Sequence, residues 1–164
     1  MRLAALLICL SALSYEGSSQ TITSEDLTKI KGTWMGHLIY TDYSNDQTQV
    51  KLETNLVADW KKNSGLLVFE YIEPNGKVVR GKQKIKLGKN SSQFYMDGEW
   101  RVIDFQKTEA NWKLMLEKVG KDNNRDAVIQ QELQVSAVDL TIVKSVKYAG
   151  TDQFFVRNRY EFKR

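Results

Sequence analysis

One cysteine, one proline and one histidine stand among 164 residues. The cysteine, Cys9, falls in an apolar N-terminal stretch, so the rest of the chain has neither a disulfide framework nor thiolate chemistry. A single histidine, His37, excludes a multi-histidine metal site and narrows the options for acid–base catalysis. No apolar run beyond the first 14 residues is long enough to cross a bilayer as a helix. A phosphate-cradling glycine loop and a G-x-S-x-G nucleophile elbow are both missing. An excess of one sign of charge is missing too: 24 Lys and Arg against 20 Asp and Glu leave +4, interleaved along the chain. That pattern reads as a mixed, solvated surface and excludes a nucleic-acid footprint.

The first 14 residues combine Arg2, an apolar Leu3 to Leu13, and small residues at Ala12 and Ser14, the layout of a cleavable signal peptide. A secreted or periplasmic location is expected, with residues 15–22 a flexible N-terminal arm and residues 23–164 a single domain. Loss of Arg2 takes the balance to 23 − 20 = +3. A mature chain of about 150 residues buries roughly two-thirds of its unfolded surface, enough for a core that stands without cross-links.

Thr23 and Asp26 have the spacing of a helix cap with an acidic third residue, and Leu27 and Ile30 share one face of the short helix that follows. Gly32 ends it. From Trp34 onward the chain alternates apolar and polar residues, is rich in Val, Ile, Thr, Tyr and Phe, and is broken by Gly, Asn and Asp at hairpin spacing. Trp34, Gly36, Leu38 and Tyr40 fall on one face of the first strand, with Met35, His37, Ile39 and Thr41 on the other. Further strands are read over Gln47 to Trp60, Leu66 to Ile72, Lys77 to Leu87, Ser92 to Met96, Glu99 to Gln106, Asn111 to Val119, Ala127 to Val135, Leu140 to Tyr148 and Phe154 to Phe162. Pro74-Asn75-Gly76 and Asp97-Gly98 mark tight turns. About ten strands joined by short turns make an antiparallel meander. A meander of that length closes to remove its edges, so an all-β, up-and-down barrel with a short N-terminal helix is expected.

A short helix leading to Gly32-Thr33-Trp34 on the first strand resembles the calycin group: lipocalins, fatty-acid-binding proteins and bacterial secreted lipocalin-like domains. The resemblance implies that Trp34 closes one end of the barrel against an arginine from near the last strand, with Arg157 or Arg159 placed to match and Gly32 opening the step. It further implies a cavity for a small hydrophobic or amphipathic ligand. Leu38, Tyr40, Leu52, Leu56, Trp112, Leu114, Leu116, Phe154, Val156 and Tyr160 fall on inward phases and form the expected lining. The same side chains also suffice to fill a solid interior, and by side-chain count alone that reading is the stronger.

Other candidates are weaker. With Trp34 inward, His37 points outward, away from any haem held in the barrel. Asp122-Asn123-Asn124-Arg125-Asp126 reads as alternate oxygens of a calcium loop in Asp122, Asn124 and Asp126, but Ala127 and Leu133 occupy positions where such a loop needs glycine and glutamate. Asn90-Ser91-Ser92 fits a glycosylation acceptor. Tyr40 to Tyr43 could rim a barrel mouth, Arg80, Arg101, Arg157 and Arg159 could meet a ligand carboxylate, and Asp104 with Glu132 could pair in a cavity. No catalytic residue, metal or cofactor is assigned. The expectation is a monomeric carrier or sensor of a small hydrophobic ligand, with no nucleic-acid partner and no transmembrane segment. The rivals are a packed interaction module and a barrel hydrolase or isomerase.

Overall fold

The computed structural model describes residues 20–164; the signal-peptide reading of residues 1–14 lies outside them. Helix α1 (Ser24–Thr28) is followed by ten strands, β1 (Gly32–Thr41), β2 (Gln49–Lys61), β3 (Ser64–Ile72), β4 (Val78–Leu87), β5 (Gln93–Tyr95), β6 (Glu99–Lys107), β7 (Trp112–Asp122), β8 (Arg125–Val135), β9 (Asp139–Tyr148) and β10 (Phe155–Lys163). Each strand pairs antiparallel with its sequence neighbour, and β10 returns to β1, closing the barrel. The fold class expected from alternation and turn spacing is the one observed. Among the described residues no helix is long and apolar enough to cross a membrane.

Strand alternation sends one face of every strand inward. Trp34, Leu56, Leu67, Leu87, Phe94, Leu114, Leu116, Leu133, Leu140 and Phe162 fill one half of the barrel and are almost fully buried. Packing there is tight enough to require glycine at Gly65. A Cβ at that position would lie 2.1 Å from the Trp60 ring, which covers the gap directly across the ladder.

Helix α1 lies against this filled end. Thr23 and Asp26 form the expected reciprocal cap, and Leu27 and Ile30 are buried. Ile22 is buried as well, so the arm expected over residues 15–22 is docked by its last residue. The cause is apolar burial of an isoleucine that lacks helical or strand periodicity around it. The Trp112 and Trp34 indoles donate to the Asp26 and Ile30 carbonyls at 2.8 and 2.7 Å, fixing the helix across the opening.

Candidate functional site

The other half of the barrel is built differently. Strand phases that run apolar at the filled end turn polar partway along. After Trp112, Leu114 and Leu116 the next inward residues of β7 are Lys118 and, past Gly120, the buried Asp122. In β8, Gln131 sits between Ile129 and Leu133, and in β9 Lys144 sits between Ile142 and Val146. Lys118, Ile129, Gln131, Ile142 and Lys144 bound a cavity of about 330 Å³ inside the barrel. Phe69, Tyr71 and Tyr160 supply an aromatic wall, with Phe69 and Tyr71 stacked at 6.1 Å and the Tyr71 and Tyr160 hydroxyls 3.0 Å apart. Burial, with the Tyr71 hydroxyl beside it, holds the Tyr160 phenol far above its ordinary range, so it stays protonated. Ile129, Ile142, Met96 and Trp100 add apolar surface, while Gln83, Gln131, Asn158, Lys118 and Lys144 face the same space; Lys82 and Lys121, exposed on the outward phases of β4 and β7, stand at its rim with Asp97.

Beyond the cavity, the far end is closed by charge. Arg157, fully buried, donates from Nε to Asp122 at 3.1 Å, from Nη1 to Asp46 at 2.7 Å and from Nη2 to the Tyr148 hydroxyl at 2.6 Å. Its guanidinium also lies between the Tyr43 and Phe155 rings, 4.4 and 4.8 Å away. Asp122 accepts further from Lys144 at 2.5 Å, Tyr148 at 3.0 Å and Tyr43 at 3.3 Å. Burial opposes ionisation of Asp122, but the Lys144 and Tyr148 hydrogen bonds and the Arg157 charge outweigh it and hold the carboxyl below the usual carboxylate range. Through Tyr43 and Asp46, the β1–β2 loop is thereby tied over the end of β7 and β10.

The expected site residues divide accordingly. Of the ten proposed cavity residues only Tyr160 lines this space. Leu56, Trp112, Leu114 and Leu116 are inward but belong to the filled half, as core. Leu38, Tyr40 and Leu52 are half-buried and keep the inward phase of Trp34 without reaching the cavity. Phe154 and Val156 are 37 and 43 % exposed. A bulge between Val156 and Asn158 inserts Arg157 into β10 and reverses the phase of everything before it.

The arginine on Trp34 is neither Arg157 nor Arg159. Arg157 closes the opposite end, and Arg159 is an exposed outer residue 3.4 Å from Glu161. The ring is covered by Arg164, 3.7 Å from its centroid, which also donates to the Lys29 carbonyl at 2.6 Å; Gly32, at φ +131°, lies beneath this arginine.

The remaining candidates face outward. His37 sits between Glu53 and Glu161 on the outer face of the ladder, one step from Gly36. Asp104 and Glu132 flank Met115 on that face, Glu132 paired with Lys113 at 2.9 Å. Arg80 and Arg101 pair with Glu70 and Glu117, each at 2.8 Å. The polar segment 120–126, left between two strands expected from the sequence, is a hairpin in which Asn123 and Asn124, at φ 47° and 61°, form the whole turn. It puts Asp122 inside and Asp126 beside Lys121, too far apart in direction to share an ion. Among the described residues no group of three or more His, Cys, Asp or Glu side chains converges to hold a metal.

Lys118, Gln131, Lys144 and Asn158 stand outside the apolar lining expected of a carrier. Their signal was present: each continues an inward phase that its apolar neighbours define.

A wider cleft of about 930 Å³ runs outside, along β6 to β9 from Gln20 to Thr141. Its polar side chains largely satisfy one another, as in Gln106 with Asp104 and Lys107 with Asp26, so no free chemistry converges there.

No family model and no curated protein matches this sequence. Among solved structures it is similar to the crystal structure of Rv2717c from M. tuberculosis, with a TM-score of 0.64 at 10 % identity, covering 88 % of this chain and 99 % of that one. At that identity the likeness speaks to the fold alone.

Proposed function

We propose that this chain is an exported, calycin-type barrel that holds a small amphipathic molecule in its interior. The observation that carries the reading is the 330 Å³ cavity, which joins an aromatic and aliphatic wall to a set of converging polar groups. Binding sites combine those two features, and a volume at the low end of their usual span suits a small ligand. A packed interaction module would continue the apolar phases of β7, β8 and β9 to the far end and leave no such space. The expected hydrophobic or amphipathic ligand narrows to an amphipathic one, because a wholly apolar body would leave the Lys118 ammonium and the inward amides of Gln131 and Asn158 with no polar group of the ligand to meet. Export rests on the signal-like first 14 residues.

Native mass spectrometry of the purified protein, before and after exposure to a lipid and metabolite extract, tests this reading. A bound small molecule released on denaturation is the expected result. Protein that stays ligand-free and displaces no apolar fluorescent probe would remove it.

A further inference from the structure

Most of the interior charge is self-cancelling. Arg157 and Lys144 both pair with Asp122, and Arg157 pairs again with Asp46. Lys118 is the exception. It faces the cavity, makes no ion pair among the described residues, and spends its ammonium on the Asp97 backbone carbonyl at 3.3 Å and on the Trp100 ring at 4.3 Å. Burial pulls it below the ordinary lysine range, with Asp97 opposing the shift and Lys144 adding to it. A cation in that position gains most from an anion brought in by a ligand.

The barrel wall beside Lys118 is also incomplete. β5 has three residues and pairs with β4 only through Lys86–Tyr95 and Leu87–Phe94. The β6–β7 ladder begins at Arg101–Glu117. Residues 78–85 of β4 and 118–122 of β7 therefore face a slot that has no ladder of its own. The turn between β5 and β6 fills it. Asp97, at the tip with φ 51°, accepts from Gln83 of β4 through its carboxylate at 3.3 Å and from Lys118 of β7 through its carbonyl. Two long side-chain hydrogen bonds tie Asp97 to the walls on either side, next to the buried Met96. Lys82 and Lys121 stand at the rim, Lys121 3.8 Å from Asp126, and with Lys118 they outnumber Asp97 and Asp126, so an anion approaching the opening meets net positive charge.

We propose that the cavity takes a small amphipathic anion, entering through the slot between β4 and β7, with its anionic head on the Lys118 ammonium and its apolar body against Phe69, Ile129 and Ile142. This rests on the reading of the interior as a ligand site and adds the charge of the ligand and the residue that reads it. Binding exchanges the Asp97 carbonyl for the ligand's oxygens at Lys118 and leaves the Arg157–Asp122 closure untouched.

Isothermal titration calorimetry with 4-phenylbutanoate and its amide, two molecules alike in shape but not in charge, separates the possibilities. The acid is expected to bind about tenfold or more tightly than the amide. Lys118→Met, which keeps the stem and removes the charge, should bring the two together, and Lys118→Arg should restore the preference. Arg80→Met, on the outer face, should change neither. Equal affinities in the unaltered protein, or a preference that survives Lys118→Met, would overturn this inference while leaving an interior ligand site standing. Binding of neither compound would count against both. A thermal midpoint for Lys118→Met close to that of the unaltered protein shows that the comparison is made on folded material.

Discussion

The two ends of this barrel solve one problem with opposite chemistry. At the helix end, Trp34, Trp112, Leu27 and Ile30 exclude water, and each indole N–H is met by a carbonyl of the segment it holds. At the far end, Arg157, Asp122, Lys144 and Asp46 exclude water by satisfying one another. The first closure draws stability from apolar area, which is non-directional and additive over many contacts. The second draws it from geometry. Buried ions tolerate no missing partner, and their net contribution is small compared with the cost of breaking one of them. The cavity lies on the charged side of this divide, where the inward phases carry polar groups.

The largest expected effect is at the apolar end. Trp34→Ala removes a fully buried indole and should cost about 3–5 kcal/mol, read as a fall in denaturant midpoint at unchanged slope. Trp34→Phe should recover most of this and leave a deficit of about 1–2 kcal/mol for the Ile30 carbonyl that loses its donor. A loss below 1 kcal/mol for the alanine variant would mean that the helix end is not a packed closure.

Arg157→Met should cost about 3 kcal/mol, since it takes the guanidinium from the buried Asp122 carboxylate and from the Tyr148 hydroxyl, while the exposed Asp46 keeps Arg125. The contrast sharpens with a second change. Asp122→Leu added to Arg157→Met should return part of the loss, because two apolar groups replace a broken ion pair and Lys144, which then loses Asp122, is partly exposed to water; no second change at the helix end would rescue Trp34→Ala in this way. A double variant no better than the single one would show the far end to be held by its loops and not by this pair.

That difference also decides what could be read from the sequence. The ten strands, the cap at Thr23 and Asp26, and Trp34 as a buried end residue all follow from patterns local to a few positions, and local patterns survive in a linear string. The helix-end arginine did not follow. Arg157, Arg159 and Arg164 lie on or beside one strand: the bulge turns Arg157 inward, and Arg164 lies past the strand's end, where alternation says nothing. The charged closure joins Asp46, Asp122, Tyr148 and Arg157 from four separate segments, and no spacing rule connects them. The cavity itself was half legible. Alternation places Lys118, Gln131 and Lys144 inward, but a lysine on an inward phase is indistinguishable from a strand end until the strand's length is known. β7 was expected to stop at Val119 and runs to Asp122.

Acid should separate the ends less strongly. The folded-state pKa of Asp122 is depressed, so its contribution is fully present above the unfolded value near about 3.9 and is lost as pH falls through the lower folded value. Asp122→Asn should therefore cost about 2 kcal/mol near neutrality, and the gap to the unaltered protein should close progressively below about pH 4. Asp26 titrates with the same sign at the helix end: burial opposes its charge, and Thr23 with Lys107 outweighs burial. Asp26→Asn gives the matching measurement. Urea midpoints from pH 7 to 3 for both variants check this, and a gap for Asp122→Asn that stays constant with pH would contradict the ionised form assigned to it.

The smallest effect tests the arginine assignment directly. Arg164 is exposed, so its cation–π contact with Trp34 and its bonds to the Lys29 and Lys31 carbonyls should be worth only about 1 kcal/mol together. Stability alone would barely resolve Arg164→Ala from Arg159→Ala. Solvent access to the indole does resolve them, because Arg164 stands over one ring and Arg159 over none. Acrylamide quenching of tryptophan emission should rise for Arg164→Ala and stay unchanged for Arg159→Ala. The rise should vanish in a Trp34→Phe background, since the other three indoles are buried away from Arg164. Quenching that rises with Arg159→Ala instead would return the helix-end seal to the strand-interior arginine that the calycin pattern suggests.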